Sequence, residues 1–190
     1  MYEAIADPYC YPGSDVLRNR PGLIDQGRLD EFEAAATTQR ADEPLPGGRR
    51  SVSHYRAIHR HLFQDVYGWA GRFRTVRLSK SGSAFCYPEY IGREMRELFA
   101  ALHSSDFLRS RSPEAFADGA SEFLATLNAI HPFREGNGRA QTLFLALLGD
   151  QAGHPLDLER LEPEPFLAAM IRSFSGDLAP LRDQIRLLIS

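Results

Sequence analysis

The sequence predicts an all-α, single-domain fold with one short β-hairpin set into it. Three observations carry that reading: a one-domain length of 190 residues, a hydrophobic fraction of 43%, and apolar residues recurring at helical spacing through most of the chain. A chain of this length buries a core without disulfide or metal staples. No internal repeat or low-complexity tract interrupts it. The Pro/Gly clusters at Pro12-Gly13, Pro21-Gly22 and Pro44 through Gly48 read as turns and one longer loop, so residues 1–190 are expected to form one domain.

Taken in order, Tyr55, Ile58, Leu62 and Val66 fall on one helical face behind a Ser51/Ser53 cap, with Phe63 beside them. Ile91, Met95, Leu98, Phe99 and Leu102 repeat the pattern after Pro88. Phe116, Ala120, Phe123, Leu124 and Leu127 follow Ser112-Pro113, where serine caps and proline suits a first turn. Leu143, Phe144, Leu147 and Leu148 mark a helix expected to start near Gly138 or Arg139 and to stop at Gly149. Two further helices follow, one on Phe166, Leu167, Met170, Ile171 and Phe174, the other on Leu178, Leu181, Ile185, Leu188 and Ile189. The stretch from Arg74 to Tyr87 breaks the rhythm. Val76 and Leu78 alternate with polar neighbours and Ser81-Gly82 offers a turn, which predicts a hairpin over about 74–87.

With 22 basic and 25 acidic residues and a formal charge of −3, the chain lacks the excess positive charge of proteins that wrap nucleic acid, so direct nucleic-acid binding is not expected. Lys80 is the only lysine, which leaves anion binding mostly to arginine forks. Cys10 and Cys86 show no metal-ligand spacing and read as two free thiols. The first residues lack the pattern of a signal peptide, and no apolar run approaches the roughly 20 residues of a membrane span. The expectation is a cytoplasmic protein with no membrane association. The basic run Arg72, Arg74, Arg77 and Lys80 reads either as a solvated face or as a patch that steers an acidic target, and the acidic run Asp157 to Glu164 as surface.

The segment that carries chemistry is His131-Pro132-Phe133-Arg134-Glu135-Gly136-Asn137-Gly138-Arg139, between two predicted helices. Pro132 should end the first helix near His131 and leave the imidazole at a helix-to-loop corner. Gly136 and Gly138 let successive N–H groups turn inward into an anion nest, to which the positive end of the next helix adds. Arg139 can close such a cup with a bidentate grip, and the Asn137 amide can donate into it. A carboxylate inside a phosphate cup repels substrate unless a cation lies between them, so Glu135 implies Mg²⁺. His131 is then the candidate general base. Other readings stand beside these: Asn137-Gly138 is also a common hairpin turn, a histidine near a helix end often only caps it, and Phe133 reads as a core anchor for the loop. The segment is neither a P-loop, lacking Gly-Lys-Ser/Thr, nor a zincin, lacking a second histidine at helical spacing.

His131 through Arg139 resembles the signature of the Fic family, His-x-Phe-x-(Asp/Glu)-Gly-Asn-Gly-Arg-x-x-Arg. Earlier in the chain, Asp7-Pro8-Tyr9, Tyr11 to Ser14, His59 to Phe63 and Asp65 to Gly71 resemble the bacterial Fic toxins that pair with a small separate antitoxin. The resemblance implies an all-helical Fic domain that transfers AMP from ATP to a target hydroxyl and releases pyrophosphate. It implies His131 as base and Glu135 as the Mg²⁺ ligand. Arg134, Glu135, Gly136, Asn137, Gly138 and Arg139 would be the nucleotide-binding residues. The hairpin becomes a flap that clamps the target's main chain by strand addition, with Lys80, Ser81, Gly82, Ser83, Ala84 and Phe85 at its tip. Residues around Phe174 to Asp177 fall where the family often lines its adenine pocket.

The pattern's final arginine falls on Thr142; in the family that arginine contacts the γ-phosphate, so the resemblance implies weakened ATP binding here. The self-inhibitory Ser/Thr-x-x-x-Glu-Gly/Asn sequence is absent: Glu135-Gly136 is the only Glu followed by Gly or Asn, and His131 lies four residues before it. The resemblance therefore implies an antitoxin that supplies an inhibitory glutamate in trans, and as targets the ATPase subunits of type II topoisomerases, DNA gyrase B subunit and its topoisomerase IV counterpart. Two alternatives remain: a catalytically weakened interaction protein, and Fic-type transfer of another phosphate or nucleotide group.

Overall fold

A computed structural model of the chain describes residues 7–80 and 83–190. Among the described residues the chain forms seven α-helices and one two-stranded hairpin. The helices are α1 (Gln26–Ala41), α2 (Val52–Phe63), α3 (Pro88–Ser104), α4 (Pro113–Ile130), α5 (Asn137–Ala152), α6 (Pro163–Ser173) and α7 (Ala179–Leu188). In the hairpin, β1 (Ser79–Lys80) pairs antiparallel with β2 (Ser83–Ala84), Ser79 opposite Ala84 and Lys80 opposite Ser83. The expected all-α class with an inset hairpin is the fold observed. No helix among the described residues is long and apolar enough to cross a membrane, and Cys10 and Cys86 are free thiols.

Helix α4 is central, packed against α3, α5, α6 and α7. Its start matches the sequence reading: Ser112 accepts a hydrogen bond from the Ala115 N–H at 3.3 Å and Pro113 follows in the first turn. Ser51 caps α2 in the same way through the His54 N–H at 3.3 Å. Most faces read from the sequence are buried, but on α6 Leu167 and Ile171 are 53% and 56% exposed, and the helix buries Phe166, Ala169 and Met170 instead. Tyr55, Ile58, Ile91, Met95, Phe116, Leu127, Phe144, Leu181 and Ile185 share one core. A second core gathers Cys10, Val16, Leu17, Leu29, Leu62, Phe63, Val66 and Tyr67 beside α1 and α2. The segment from Cys10 to Leu17 thus packs against α1 and α2.

Three helix boundaries differ from expectation, each for a physical reason. Helix α5 runs through Gly149 and ends at Gly153, whose φ of 85° supplies the left-handed terminus. Gly149 is needed for approach: a Cβ there would lie 2.5 Å from the His154 carbonyl oxygen. The same helix starts at Asn137, capped by Gly136 at φ 80°. Helix α2 stops at Phe63, yet Val66 stays buried because its N–H turns back to the Phe63 carbonyl at 3.0 Å.

The hairpin is much shorter than residues 74–87. The Arg74 N–H donates to the Pro132 carbonyl at 2.9 Å and the Cys86 N–H to the Ala129 carbonyl at 3.0 Å, so the backbone N–H groups of both shoulders turn to the end of α4 and do not extend the strand ladder. Arg74 is not part of a basic surface. It is 2% exposed.

Helix α1 is the element that the periodicity did not announce. Only Leu29 and Thr37 are buried on it, so it carries no apolar stripe. It is held by polar bonds instead. Arg40 grips both oxygens of Asp65 at 2.6 and 3.0 Å, and the Arg40 carbonyl lies 2.7 Å from His61 Nε2.

Candidate active site

The segment from His131 to Arg139 is a tight loop between α4 and α5. His131 is the residue after the last turn of α4 and sits in the left-handed region (φ 47°, ψ 63°), its N–H bonded to the Leu127 carbonyl at 3.0 Å. Beneath it, Arg74 gathers the carbonyls of the corner. Nε donates to His131 at 2.8 Å, Nη1 to Val76 at 2.6 Å, and Nη2 to Cys86 at 2.6 Å and Ile130 at 3.2 Å. Burial pushes the Arg74 pKa down from its ordinary value, yet the carbonyl dipoles leave it a charged strut. Phe133 is fully buried and stacks on His59 at 3.7 Å between ring centres, with Tyr55 at 5.5 Å, so it anchors the loop as its sequence position indicated.

His59 holds the other side of the loop. Its Nδ1 accepts the Gly71 N–H at 2.9 Å, so the proton resides on Nε2, which donates to the Glu135 carbonyl at 2.9 Å. Burial pushes its pKa down to about 4, so the ring is neutral at neutral pH and keeps this tautomer.

The cup itself is built from backbone. Asn137 spends its side chain on the loop: Oδ1 accepts the Phe133 N–H at 3.0 Å and Nδ2 donates to the Phe133 carbonyl at 2.8 Å. Its amide therefore shapes the cup, and what remains for an anion is the first turn of α5, whose leading N–H groups have no partner within the helix. Gly136 is required twice over, by its φ of 80° and because a Cβ would lie 2.3 Å from Phe63 Cζ. Gly138 is different. Nothing lies within 4 Å of the Cβ it lacks, so the space above it is open.

Around that opening stand Glu135 and Arg139. Glu135 is exposed, and its Oε1 accepts the Gly136 N–H at 2.8 Å and lies 3.8 Å from Arg139 Nη2. Arg139 is oriented by α1. Its Nη2 donates to Glu33, its Nη1 to Thr37 Oγ1 at 3.3 Å, and its guanidinium lies 4.6 Å from the Phe63 ring centre. The second oxygen of Glu33 accepts the Tyr67 hydroxyl. Arg134 points the other way, with Nε 2.8 Å from Asp7 Oδ2, pinning the N-terminal segment to the loop. Thr142 sits half-buried two residues before the buried Phe144.

The flap closes one side. Phe85 stacks on His131 with ring centres 3.9 Å apart and planes 18° apart, and Phe174 meets Phe85 edge-on at 5.3 Å. Lys80, Ser83 and Ala84 are on the paired strands, while Ser81 and Gly82 lie outside the described residues. The structure therefore brings together His131, Glu135, Gly136, Asn137, Gly138, Arg139 and Phe85. It places Phe174 next to them, through Phe85. Sequence reasoning missed Glu33, Tyr67, His59 and Arg74 as supports of the site. No local pattern around Glu33 or Arg74 distinguishes them, since their partners lie far along the chain.

Glu135 borders the opening with an exposed carboxylate, and among the described residues no group of three His, Cys, Asp or Glu side chains stands ready to hold a metal. That donor set suits Mg²⁺, which is commonly held by one or two carboxylates with substrate phosphates and water completing its shell.

The sequence profile of the Fic/DOC family matches residues 50–148, which include the entire loop. The chain belongs to the Fic/DOC family. It is 59% identical over 189 residues to "Probable protein adenylyltransferase y4lH" of Sinorhizobium fredii, spanning 99% of this chain and 98% of that one. It is 34% identical over 177 residues to "Probable protein adenylyltransferase Fic" of Escherichia coli, spanning 93% and 88%. Among solved structures, the BepC protein of Bartonella tribocorum with bound AMPPNP superposes with a TM-score of 0.86 at 26% identity, covering 96% of both chains. The N-terminal Fic domain of a Bartonella quintana protein with bound ADP gives 0.88 at 29% identity, covering 96% of this chain and 94% of that one. The chain is an enzyme of the nucleotidyltransferase class.

Proposed function

We propose that this protein transfers AMP from ATP to a serine, threonine or tyrosine hydroxyl of a target protein. The observation that carries the reading is the placement of His131 at the end of α4, beside an open glycine-lined turn at the start of α5. In that reading the hydroxyl oxygen attacks the α-phosphorus, His131 takes its proton, and the bond to the β-phosphate oxygen breaks to release pyrophosphate. The N–H groups of the first turn of α5 and Arg139 hold the phosphates. Glu135 holds Mg²⁺, which supplies charge neutralisation on the phosphates when bound. The flap from Lys80 to Phe85 takes the target's extended main chain beside His131.

Thr142 lowers ATP affinity in this scheme without removing the base or the metal ligand. It is also the one observation behind a second reading, a catalytically weakened Fic-fold protein whose flap still binds a partner. The finer role follows from the resemblance: a cytoplasmic toxin whose targets are DNA gyrase B subunit or its topoisomerase IV counterpart, restrained by a small antitoxin that supplies a glutamate in trans. The test is transfer from α-labelled against γ-labelled ATP with Mg²⁺, with gyrase B subunit and the protein itself as acceptors. Label from the α position alone supports adenylylation. Label from γ means kinase chemistry, and none from either favours the binding protein. Co-expression with the antitoxin that fails to relieve toxicity would remove the toxin–antitoxin role.

A further inference from the structure

We propose that the cleft at the C-terminal end of α5 is a second anion site, built for a small polyphosphate: two or more linked phosphates, with or without a nucleoside attached. The cleft has a volume of about 670 Å³ and is lined chiefly by Arg49, Arg50, His103, Phe107, Arg109 and Asp150. Asp150 is 13 residues along α5 from Asn137, about 20 Å at the rise of an α-helix, so the cleft is at the pole opposite the motif loop. Its volume lies within the range of small-molecule sites.

Charge is the first argument. Three guanidinium groups line the cleft with one carboxylate, in a chain whose formal charge is −3. Arg109 has a loose, exposed partner in Asp106 at 3.4 Å. Arg50 donates only to carbonyls, Leu147 at 3.1 Å and Gly48 at 3.4 Å; burial disfavours its charge, and the Asp150 carboxylate offsets only part of that. Among the described residues neither Arg49 nor Arg50 is in an ion pair. A bound polyanion supplies the missing counter-charge, and planar guanidinium forks match phosphate oxygens.

Backbone strain is the second, independent argument. Among the described residues six non-glycine residues have positive φ, and the one at the motif loop is His131. The other five are Arg50 (52°), Asp106 (49°), Phe107 (55°), Leu108 (61°) and Ser110 (56°), all in or beside this cleft. Three consecutive left-handed residues with side chains are costly, and such strain persists where the surroundings over-determine it, most often at functional sites. Here Leu108 is the nail: it is 4% exposed and packs where a Cβ on Gly119 would be 2.8 Å from its Cδ2. The turn sets Phe107 at the lip, edge-on to His103 at 5.4 Å, with the Arg109 guanidinium 5.7 Å from its ring centre. That wall can stack a base as well as flank phosphates. Capping of α5 carbonyls accounts for Arg50 alone. It leaves Arg49, Arg109 and the strained turn without a role.

The test is amide NMR of the full chain, titrated with tripolyphosphate and separately with ATP, both without Mg²⁺. The expected result is shifts at residues 49–50, 107–109 and 150–151, separate from those at 136–139. The Arg49→Glu/Arg109→Glu double variant should lose the first set, with affinity there down about a hundredfold, and keep the second. If that double variant is unfolded, Arg49→Gln at its exposed position should still weaken the first set about tenfold. Extra ring-current shifts at Phe107 with ATP identify a nucleotide, whereas equal shifts from both probes identify the inorganic chain. Shifts confined to 136–139, or cleft shifts untouched by the charge reversals, overturn the proposal.

Discussion

The motif loop and helix α1 meet at Arg139, and they are built in opposite ways. The loop from His131 to Arg139 is contiguous, sits on the buried Phe133, His59 and Arg74, and uses its two glycines for backbone geometry and for space. Helix α1 buries only Leu29 and Thr37, is fixed by Arg40 and His61, and reaches the site with Glu33 and Thr37. The difference teaches that the chemistry and its orientation come from separate parts of the chain. In the proposed reaction the loop supplies the reacting groups. Glu33, braced by Tyr67, decides where the Arg139 guanidinium points.

The largest effect expected from breaking this division is on stability. Arg74→Leu leaves four carbonyls of the corner without their donor and should destabilise the protein by about 3–5 kcal/mol. Chemical denaturation measures it, and a loss near zero would mean that the loop does not depend on this strut. Gly136→Ala comes next. It adds a Cβ 2.3 Å from Phe63 at a φ of 80°, and strain plus overpacking should total about 2–4 kcal/mol. Activity should fall with it, because the N–H groups of α5 move.

Thr142→Arg sharpens the comparison from the loop's side. A second guanidinium restores a charge-assisted phosphate contact and should tighten apparent ATP binding roughly ten- to a hundredfold. Unchanged affinity in calorimetry would show that Thr142 is not a deficit. The smallest effect belongs to the outer face of α1. Phe32→Ala removes a ring that is 37% exposed, and its cost in thermal unfolding should stay within about 0.5 kcal/mol.

Legibility followed the same division. Most helices were legible because α2 through α7 each bury a periodic apolar face, and Ser51, Ser112 and the prolines mark their starts. Helix α1 was not, since polar bonds and not a stripe hold it, and a polar bond to a residue far along the chain leaves no local trace. Gly149 was misread for a related reason: close approach of His154 and a helix stop both select glycine. The placement of His131, Glu135 and the two glycines in a turn between two helices was readable from their spacing. The turn of Asn137 back onto Phe133 and the pairing of Arg134 with Asp7 required the fold.

The central claim is that the loop performs the transfer while α1 only orients Arg139 for the phosphates. Steady-state kinetics of His131→Ala and Glu33→Gln, at varied ATP with a labelled α-phosphate, test it most directly. The account predicts that His131→Ala lowers kcat about 10²–10⁴-fold with ATP affinity retained, as loss of a general base does. It predicts that Glu33→Gln raises KM for ATP about tenfold with kcat little changed, as loss of uniform binding does. A kcat collapse in Glu33→Gln, or full activity in His131→Ala, would contradict the account.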